Sequence, residues 1–451
     1  MPTFMRLHQL GIASAIAAVV CGLSSRRANA DEPRPARPPA DVSAPAISEE
    51  ECRRFAGSVI KAVDDADQAA LNRLIDEKAI LETMAAGLNI REQVRADLYA
   101  GIEKSLAEAG GILVQVVQDS KKGGSFTLLR IRHAHGRQVL LFRLIHSDSS
   151  SGLNYLELVP RRERDGQIRV VDIYTFLAGE FVSASMRRAI LPLVAEQSRS
   201  ALSKLVLGEQ DYVLDVRRIQ EGNRLLKQGK PAEALEIYKS LRPGTRKQKN
   251  ILLCQMRAAQ EANDDREYAA VIDEIQRTFP GDPCVDFISI DGLLMRKEYN
   301  KAMEAVDRVD RSLGGDPYLN TLRAGICESR GDREGARRFI RRAIAEEPTL
   351  LDAHWSLVGL ALEDKDHKGT LDALEEIHRR FALEFGDLTR LPEYADFVKS
   401  PQYREWLDYL SKHRSPRPPE GPGAKVPTSK PTTPAATSEN APRKPAATTP
   451  R

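Results

Sequence analysis

The sequence predicts an α+β domain of helices and a mostly antiparallel sheet, followed by an all-α solenoid of helical repeats and a Pro-rich tail without order. Three observations predict this. Apolar residues recur with a helical period from about Glu49 to Ala109, with a period nearer two after Gly111, and with a helical period again from about Asp215 to Phe381. Small residues and prolines return in that last stretch at a spacing of roughly 34 residues. The final segment, "SPRPPEGPGAKVPTSKPTTPAATSENAPRKPAATTPR", has almost no large apolar side chain with which to offset its ordering entropy.

At the N-terminus, Arg6 and His8 form a short polar start and "LGIASAIAAVVCGL" an apolar run of signal-peptide length. The run is too short to span a bilayer comfortably. Ala28, Asn29 and Ala30 place small residues where a signal peptidase cuts. Residues 1–30 are therefore expected to be an export signal cleaved near Ala30, leaving a periplasmic or secreted chain with no stable transmembrane anchor. Arg26 and Arg27 follow the apolar run, so they are not a twin-arginine signal. Val20 stands before Cys21 where a lipoprotein signal has a small residue. Residues 31–47, Pro- and Ala-rich, read as a linker, and 412–451 as the disordered tail.

The 451 residues carry 67 Lys+Arg against 64 Asp+Glu, a balance that argues against general nucleic-acid binding. Removing the signal leaves Cys52, Cys254, Cys284 and Cys327. Their spacing fits no zinc motif and is no disulfide scaffold. A Cys254–Cys284 pair is left open.

Between linker and tail, residues 48–196 hold the α+β domain. "CRRFAGSVIKAVDDADQAALNRLIDEKAILETM" reads as two helices broken at Asp64 and Asp65. "IREQVRADLYAGIEKSLAEAG" reads as a third, ended by Gly110 and Gly111. "ILVQVVQD", "FTLLRIRH", "QVLLFRLIH", "LNYLELVPRR" and "IRVVDIYTF" read as five strands. The turns between them are short, so the sheet should be mostly antiparallel. A last helix leads through a connecting segment, 197–214, into the repeats.

Residues 215–411 hold those repeats and a C-terminal cap. Gly229 precedes Ala234, Tyr238 and Leu241, and Gly331 precedes Ala336, Ile340 and Ala343 at the same offsets. "EYAAVIDEIQRTFPGDP" and "EYNKAMEAVDRVDRSLGGDP" each end in Gly-Asp-Pro. Two helices packed closely need small side chains where their axes approach, and a proline such as Pro348 stops the second. Trp355 and Gly359 open a further unit. This pattern resembles the tetratricopeptide repeat (TPR) family, in about five units starting near 215, 251, 283, 317 and 352. It departs from the family at Ala259 and Ile290, where a Gly is expected. Phe397, Tyr403, Trp406 and Leu407 supply the cap.

The resemblance implies a superhelix whose concave groove, lined by the first helix of each unit, holds polypeptide segments. By register its groove residues are Asn223, Leu226, Lys227, Gln260, Asn263, Phe287, Asp291, Leu294, Tyr318, Glu328, Ser356 and Glu363. Ile219 stands where the family's carboxylate clamp has a Lys, which speaks against capture of a C-terminal carboxylate. Residues 48–196 are similar in pattern to the nuclear-transport-factor-2-like, or SnoaL-like, superfamily, carried by "RRFAGSVIKAVDDADQAALNRLIDEKAI" and "GQIRVVDIYTFLAGEFVSASMRR". That likeness implies a cone of helices packed on a curved antiparallel sheet, with a pocket inside it to which His133, His146, Asp172 and Tyr174 are the candidate contributors. His133 and His135 in "RHAHG" share one side of a strand, but no carboxylate at ligand spacing completes a metal set. No cofactor and no metal are expected. No P-loop, dinucleotide-binding Gly fingerprint, nucleophile elbow or zincin motif is present.

The expected function is therefore that of an exported, non-enzymatic scaffold binding a protein or peptide partner through its repeats. Homo-oligomerisation is left open. The alternative is a small-ligand-binding or acid/base enzyme cone, with the repeats as a targeting or dimerisation surface. An apolar filling of the cone favours the first reading, and convergent polar groups in a pocket favour the second.

Overall fold

The computed structural model describes residues 47–88, 90–146, 152–195 and 207–413. The signal call, the tail call beyond Lys412 and His413, nearly all of the linker and much of the connecting segment lie outside these residues, and Lys412 ends a helix where the tail is expected to begin. The described residues form two compact units, which divide between Asp316 and Pro317. Among them no helix is long and apolar enough to cross a membrane.

The first unit opens with five helices. α1 spans Glu49–Asp64, with Ser48 and Glu51 closing a capping box at its start. α2 (Gln68–Arg73) and α3 (Glu77–Ala85) are each capped by an aspartate, Asp67 and Asp76. These caps split what reads in the sequence as one helix. α4 spans Glu92–Ala109 and ends on left-handed Gly110. α5 spans Val114–Lys121, where the sequence reading placed a first strand. Leu113, Val116 and Val117 are all buried, and their spacing puts them on one helical face. Short apolar runs of this kind do not separate helix from strand by pattern alone.

The sheet is a five-stranded antiparallel meander in the order β1-β2-β3-β4-β5. Its strands are β1 (Ser125–Ala134), β2 (Arg137–Ile145), β3 (Leu153–Arg162), β4 (Ile168–Thr175) and β5 (Glu180–Phe181). Bulges interrupt the register between Leu128 and Arg130 and between Val159 and Pro160. Leu140, Phe142, Leu144, Leu156, Leu158, Val170 and Ile173 make one apolar face. It packs in a single core with α1 to α5 and α6 (Val182–Ala195). Arg187 on α6 donates to the carbonyls of Met84 and Ala86 at the end of α3, where the helix leaves carbonyls without internal partners.

Helix hairpins follow. In the first unit they are α7 (Leu207–Lys227) with α8 (Pro231–Lys239), α10 (Lys249–Glu261) with α11 (Asp265–Thr278), and α12 (Pro283–Met295) with α13 (Tyr299–Leu313). The short α9 (Pro243–Arg246) lies between the first two. The second unit holds α14 (Leu319–Ser329) with α15 (Arg333–Glu346), and α16 (Leu351–Glu363) with α17 (His367–Phe381). Three short 3-10 turns and α18 (Pro401–Lys412) complete it.

The backbone repeats more regularly than the side chains. A positive φ falls at Gly229, Asn263, Lys297, Gly331 and Lys365, each 34 residues after the last. At each, the next amide returns to a carbonyl five residues back: Lys230 to Leu225, Asp264 to Ala259, Glu298 to Leu293, Asp332 to Cys327 and Asp366 to Ala361. Asp264, Asp332 and Asp366 then cap the second helix of their pairs. Units two and three, which depart from the family's residues, thus keep the same turn as the others.

The small residues are buried as the rhythm requires. Ala234, Ala302, Ala336 and Ala343 have no exposed surface. In the first pair the approach is closer: a Cβ on Gly222 would lie 2.8 Å from the Tyr238 ring. Ala336→Leu is expected to destabilise the second unit by about 1–3 kcal/mol while leaving the sheet's amides protected. Hydrogen exchange with unchanged rates in α15 would count against this packing. At the C-terminus Trp406 and Phe397 are buried in a core with Leu374 and Ile377. Leu407, assigned to the cap from sequence, is instead 48 % exposed, because the helix turns its neighbour Trp406 inwards.

Candidate functional site

The residues expected in a cone pocket do not converge. His133 is exposed. His146, just past β2, lies 2.8 Å through Nδ1 from Asp119 on α5 and is buried. Asp172 on β4 accepts hydrogen bonds from the Ser183 hydroxyl at 2.5 Å and the Ser183 amide at 3.3 Å. It therefore anchors the start of α6, where a carboxylate is favoured by the exposed amides of the first turn. Burial pushes the Asp172 carboxyl above its ordinary range, and the bonds from Ser183 oppose that. Tyr174 is half-buried among His135, Phe176 and Phe181. Burial raises its hydroxyl far above the usual phenol range. The inner face of the sheet, where a pocket would open, is filled by the apolar core. Among the described residues no cluster of three or more His, Cys, Asp or Glu stands ready for a metal ion.

The opposite face of the sheet is polar and buried. Glu157 on β3 has no exposed side-chain surface; Arg132 Nε donates to it at 2.9 Å and His135 Nε2 lies 2.7 Å away. Burial alone would raise the Glu157 carboxyl, but the bonds to His135 and Arg132 outweigh it and hold the group below its ordinary range. Arg143 on β2 reaches Asp316 at 2.5 Å, and the Tyr155 hydroxyl donates to the same carboxylate at 2.7 Å. Arg130 donates to the carbonyls of Gly314 and Gly315, and Arg132 to that of Ser312. The Tyr155 ring meets Phe287 on α12 edge-on, with centroids 5.7 Å apart. Lys249 on α10 donates to Gly179 at the β4–β5 turn and pairs with Asp282.

Sequence reasoning missed this face. Its signal was the aspartate in the two Gly-Asp-Pro turns, which stopping a helix does not require.

The groove candidates fall into three groups. Some belong to packing or turns. Asn223 Oδ1 accepts from the Tyr238 hydroxyl at 2.7 Å, joining the two helices of its pair. Asn263 takes the left-handed turn position. Phe287 is covered, Leu226 is buried, and Tyr318 is 1 % exposed with its hydroxyl 3.4 Å from Asp352. Others already have partners: Asp291 is half-buried with one, Ser356 donates back to the Asp352 carbonyl, and Glu363 pairs with Arg333. Leu294 is half-buried. The accessible polar remainder is Lys227, exposed at the end of α7, and Asn263, exposed at its turn, with half-buried Gln260 and Glu328. Gln260 and Glu328 hold the same place two repeats apart.

Burial first, then repulsion from Glu363, pushes the Glu328 carboxyl up to about 7, from an ordinary 4.5. The folded chain thus binds this proton more tightly than the unfolded chain. The resulting stability is fully present below about pH 4.5 and is lost as pH rises through about 7. Glu328 therefore contributes a fall in the melting temperature of the second unit between about pH 5 and about pH 7.5, opposed by His354, whose burial pushes its imidazole down, and Glu328→Gln should remove the falling contribution. An E328Q variant with the parent's slope would exclude Glu328 as its source.

The described cysteines, Cys52, Cys254, Cys284 and Cys327, are free, so Cys254 and Cys284 do not pair. Burial pushes the thiols of these two up to about 11 and about 12, which makes them poor nucleophiles.

No family model matches the chain, and no curated protein does. Among solved structures it is similar to MamA, residues 41 to the end, from Desulfovibrio magneticus RS-1. Identity there is 18%, over 37% of this chain and 94% of that one, with a TM-score of 0.32. It is similar to PilW, described as a widely conserved type IV pilus biogenesis factor, at 12% identity over 44% and 93%, TM-score 0.34. It is also similar to TTC0263, a thermophilic TPR protein in Thermus thermophilus, at 13% identity over 44% and 99%, TM-score 0.27. In this chain five helix hairpins, three in the first unit and two in the second, share one turn every 34 residues, a spacing of the tetratricopeptide-like kind.

Proposed function

We propose that this chain is an exported, non-enzymatic interaction protein that binds polypeptide partners through its helical repeats. The observation that carries this reading is the filling of the sheet's inner face. Phe142, Leu144, Leu156 and Ile173 stand where an enzyme or small-ligand site would need open volume and converging polar groups. The polar candidates of that region are instead engaged in separate pairs, His146 with Asp119 and Asp172 with Ser183. The surface then left for function is that of the repeats, whose turns recur without change along the array. The accessible side chains differ in sign between the units, Lys227 in the first and Glu328 in the second, which suits a patterned polypeptide better than a bulk polyanion. The signal-like run at the N-terminus supports a partner outside the cytoplasm.

The test is partner capture from the native envelope fraction, using the mature chain as bait. Lys227→Ala, Gln260→Ala and Glu328→Gln combined should weaken capture at least about tenfold without loss of helical content, since a minority of side chains carries most of an interface's energy. Equal recovery of the same partners by this variant would sink the reading.

A further inference from the structure

Asp282 and Asp316 stand one repeat apart, each in a Gly-Asp-Pro turn, yet they do different work. Asp282 caps α12 by accepting from the Cys284 amide at 2.9 Å. Asp316 lies ahead of its next helix and sends its carboxylate to the sheet, Oδ1 to Arg143 and Oδ2 to Tyr155. The last carbonyls of α13 and the turn after it, at Ser312, Gly314 and Gly315, lie beyond the reach of the helix's own amides and form the negative end of its dipole. They are met by Arg132 and Arg130. One repeat earlier, Lys249 joins Asp282 to the Gly179 carbonyl of the sheet's last turn. Cationic side chains thus fasten both turns to the sheet, and Tyr155 adds its ring to Phe287 between them.

We propose that the polar face of the sheet is an internal receptor for the turns that follow the second and third repeats, and that this clamp holds α12 and α13 in one conformation. The clamp makes the α+β segment a brace for part of the repeat surface. That consequence rests on the binding function proposed above, whereas the clamp itself does not. Asp316 is the last residue of the first unit, and the brace serves the repeats up to it.

Hydrogen exchange on the full chain tests this without any partner. The variants are Arg143→Met, and Tyr155→Phe, which keeps the ring and loses only the hydroxyl. In Arg143→Met the amides of β2, β3, α12 and α13 should exchange together, at least about tenfold faster than in the parent, while those of α15 and α17 keep their rates. Tyr155→Phe should move the same amides in the same direction by less, and it alone decides the matter if Arg143→Met does not fold. Faster exchange in the sheet with parent rates in α12 and α13 overturns the clamp, as does parent behaviour throughout. Because no partner is used, failure here leaves the binding function standing, and failed partner capture leaves the clamp standing.

Discussion

Arg143→Met should cost the first unit about 3–5 kcal/mol. The side chain is 1 % exposed and the Asp316 carboxylate it meets is fully buried. Two desolvated charges meet at 2.5 Å, and removing the guanidinium takes from that buried carboxylate the charged donor on its Oδ1. Urea unfolding followed by circular dichroism measures the loss. The complementary variant replaces both partners, Arg143→Met with Asp316→Leu. Buried ion pairs often exchange for apolar pairs at little cost, so the double variant should regain part of the stability, short of what the Tyr155 hydroxyl loses with its acceptor. A single variant that melts like the parent would mean that water reaches the pair.

Phe142→Ala should cost a similar amount, about 3–5 kcal/mol. Phe142 is fully buried on β2 and stacks on Phe126, with ring centroids 4.4 Å apart and planes 3° from parallel. It stands on the inner face, in the core shared with α1 to α5, and its removal opens a cavity that the surrounding leucines only partly close. This variant also discriminates between functions. A face that exists to hold a ligand tolerates truncation of its lining, with a cost below about 1 kcal/mol, whereas a packed core does not. The smaller value would return the small-ligand reading to first place.

Much of the fold was legible because it is written locally. β1 to β4 announce themselves by alternation and by their Gly- and Ser-rich turns. The helix pairs announce themselves by Ala336, Ala343 and Pro348. The errors have the same origin. "ILVQVVQD" is too short for its period to distinguish α5 from a strand. Asn263 also has a local role that register did not show, since it sits where the turn demands a left-handed backbone, a conformation Asn tolerates better than most residues. Tyr318 and Phe287 have the right register but are covered, and register alone says nothing about what lies on top of a helix.

Most of the order of helices and strands, α5, β5 and the split between α2 and α3 excepted, could be read from the chain alone, as could the 34-residue period and the close packing within each pair. Each follows from neighbours a few residues to one repeat apart. The fate of the sheet's second face could not, and it emerges only from the folded arrangement. Arg130, Arg132, Arg143 and Glu157 alternate with apolar residues as a solvated strand face does. The partners of the arginines at Ser312, Gly314, Gly315 and Asp316 lie far along the chain, whereas Glu157 pairs within the sheet. Burial of a charge is tolerated only when a distant opposite charge or carbonyl is brought to it, and no local pattern records that meeting.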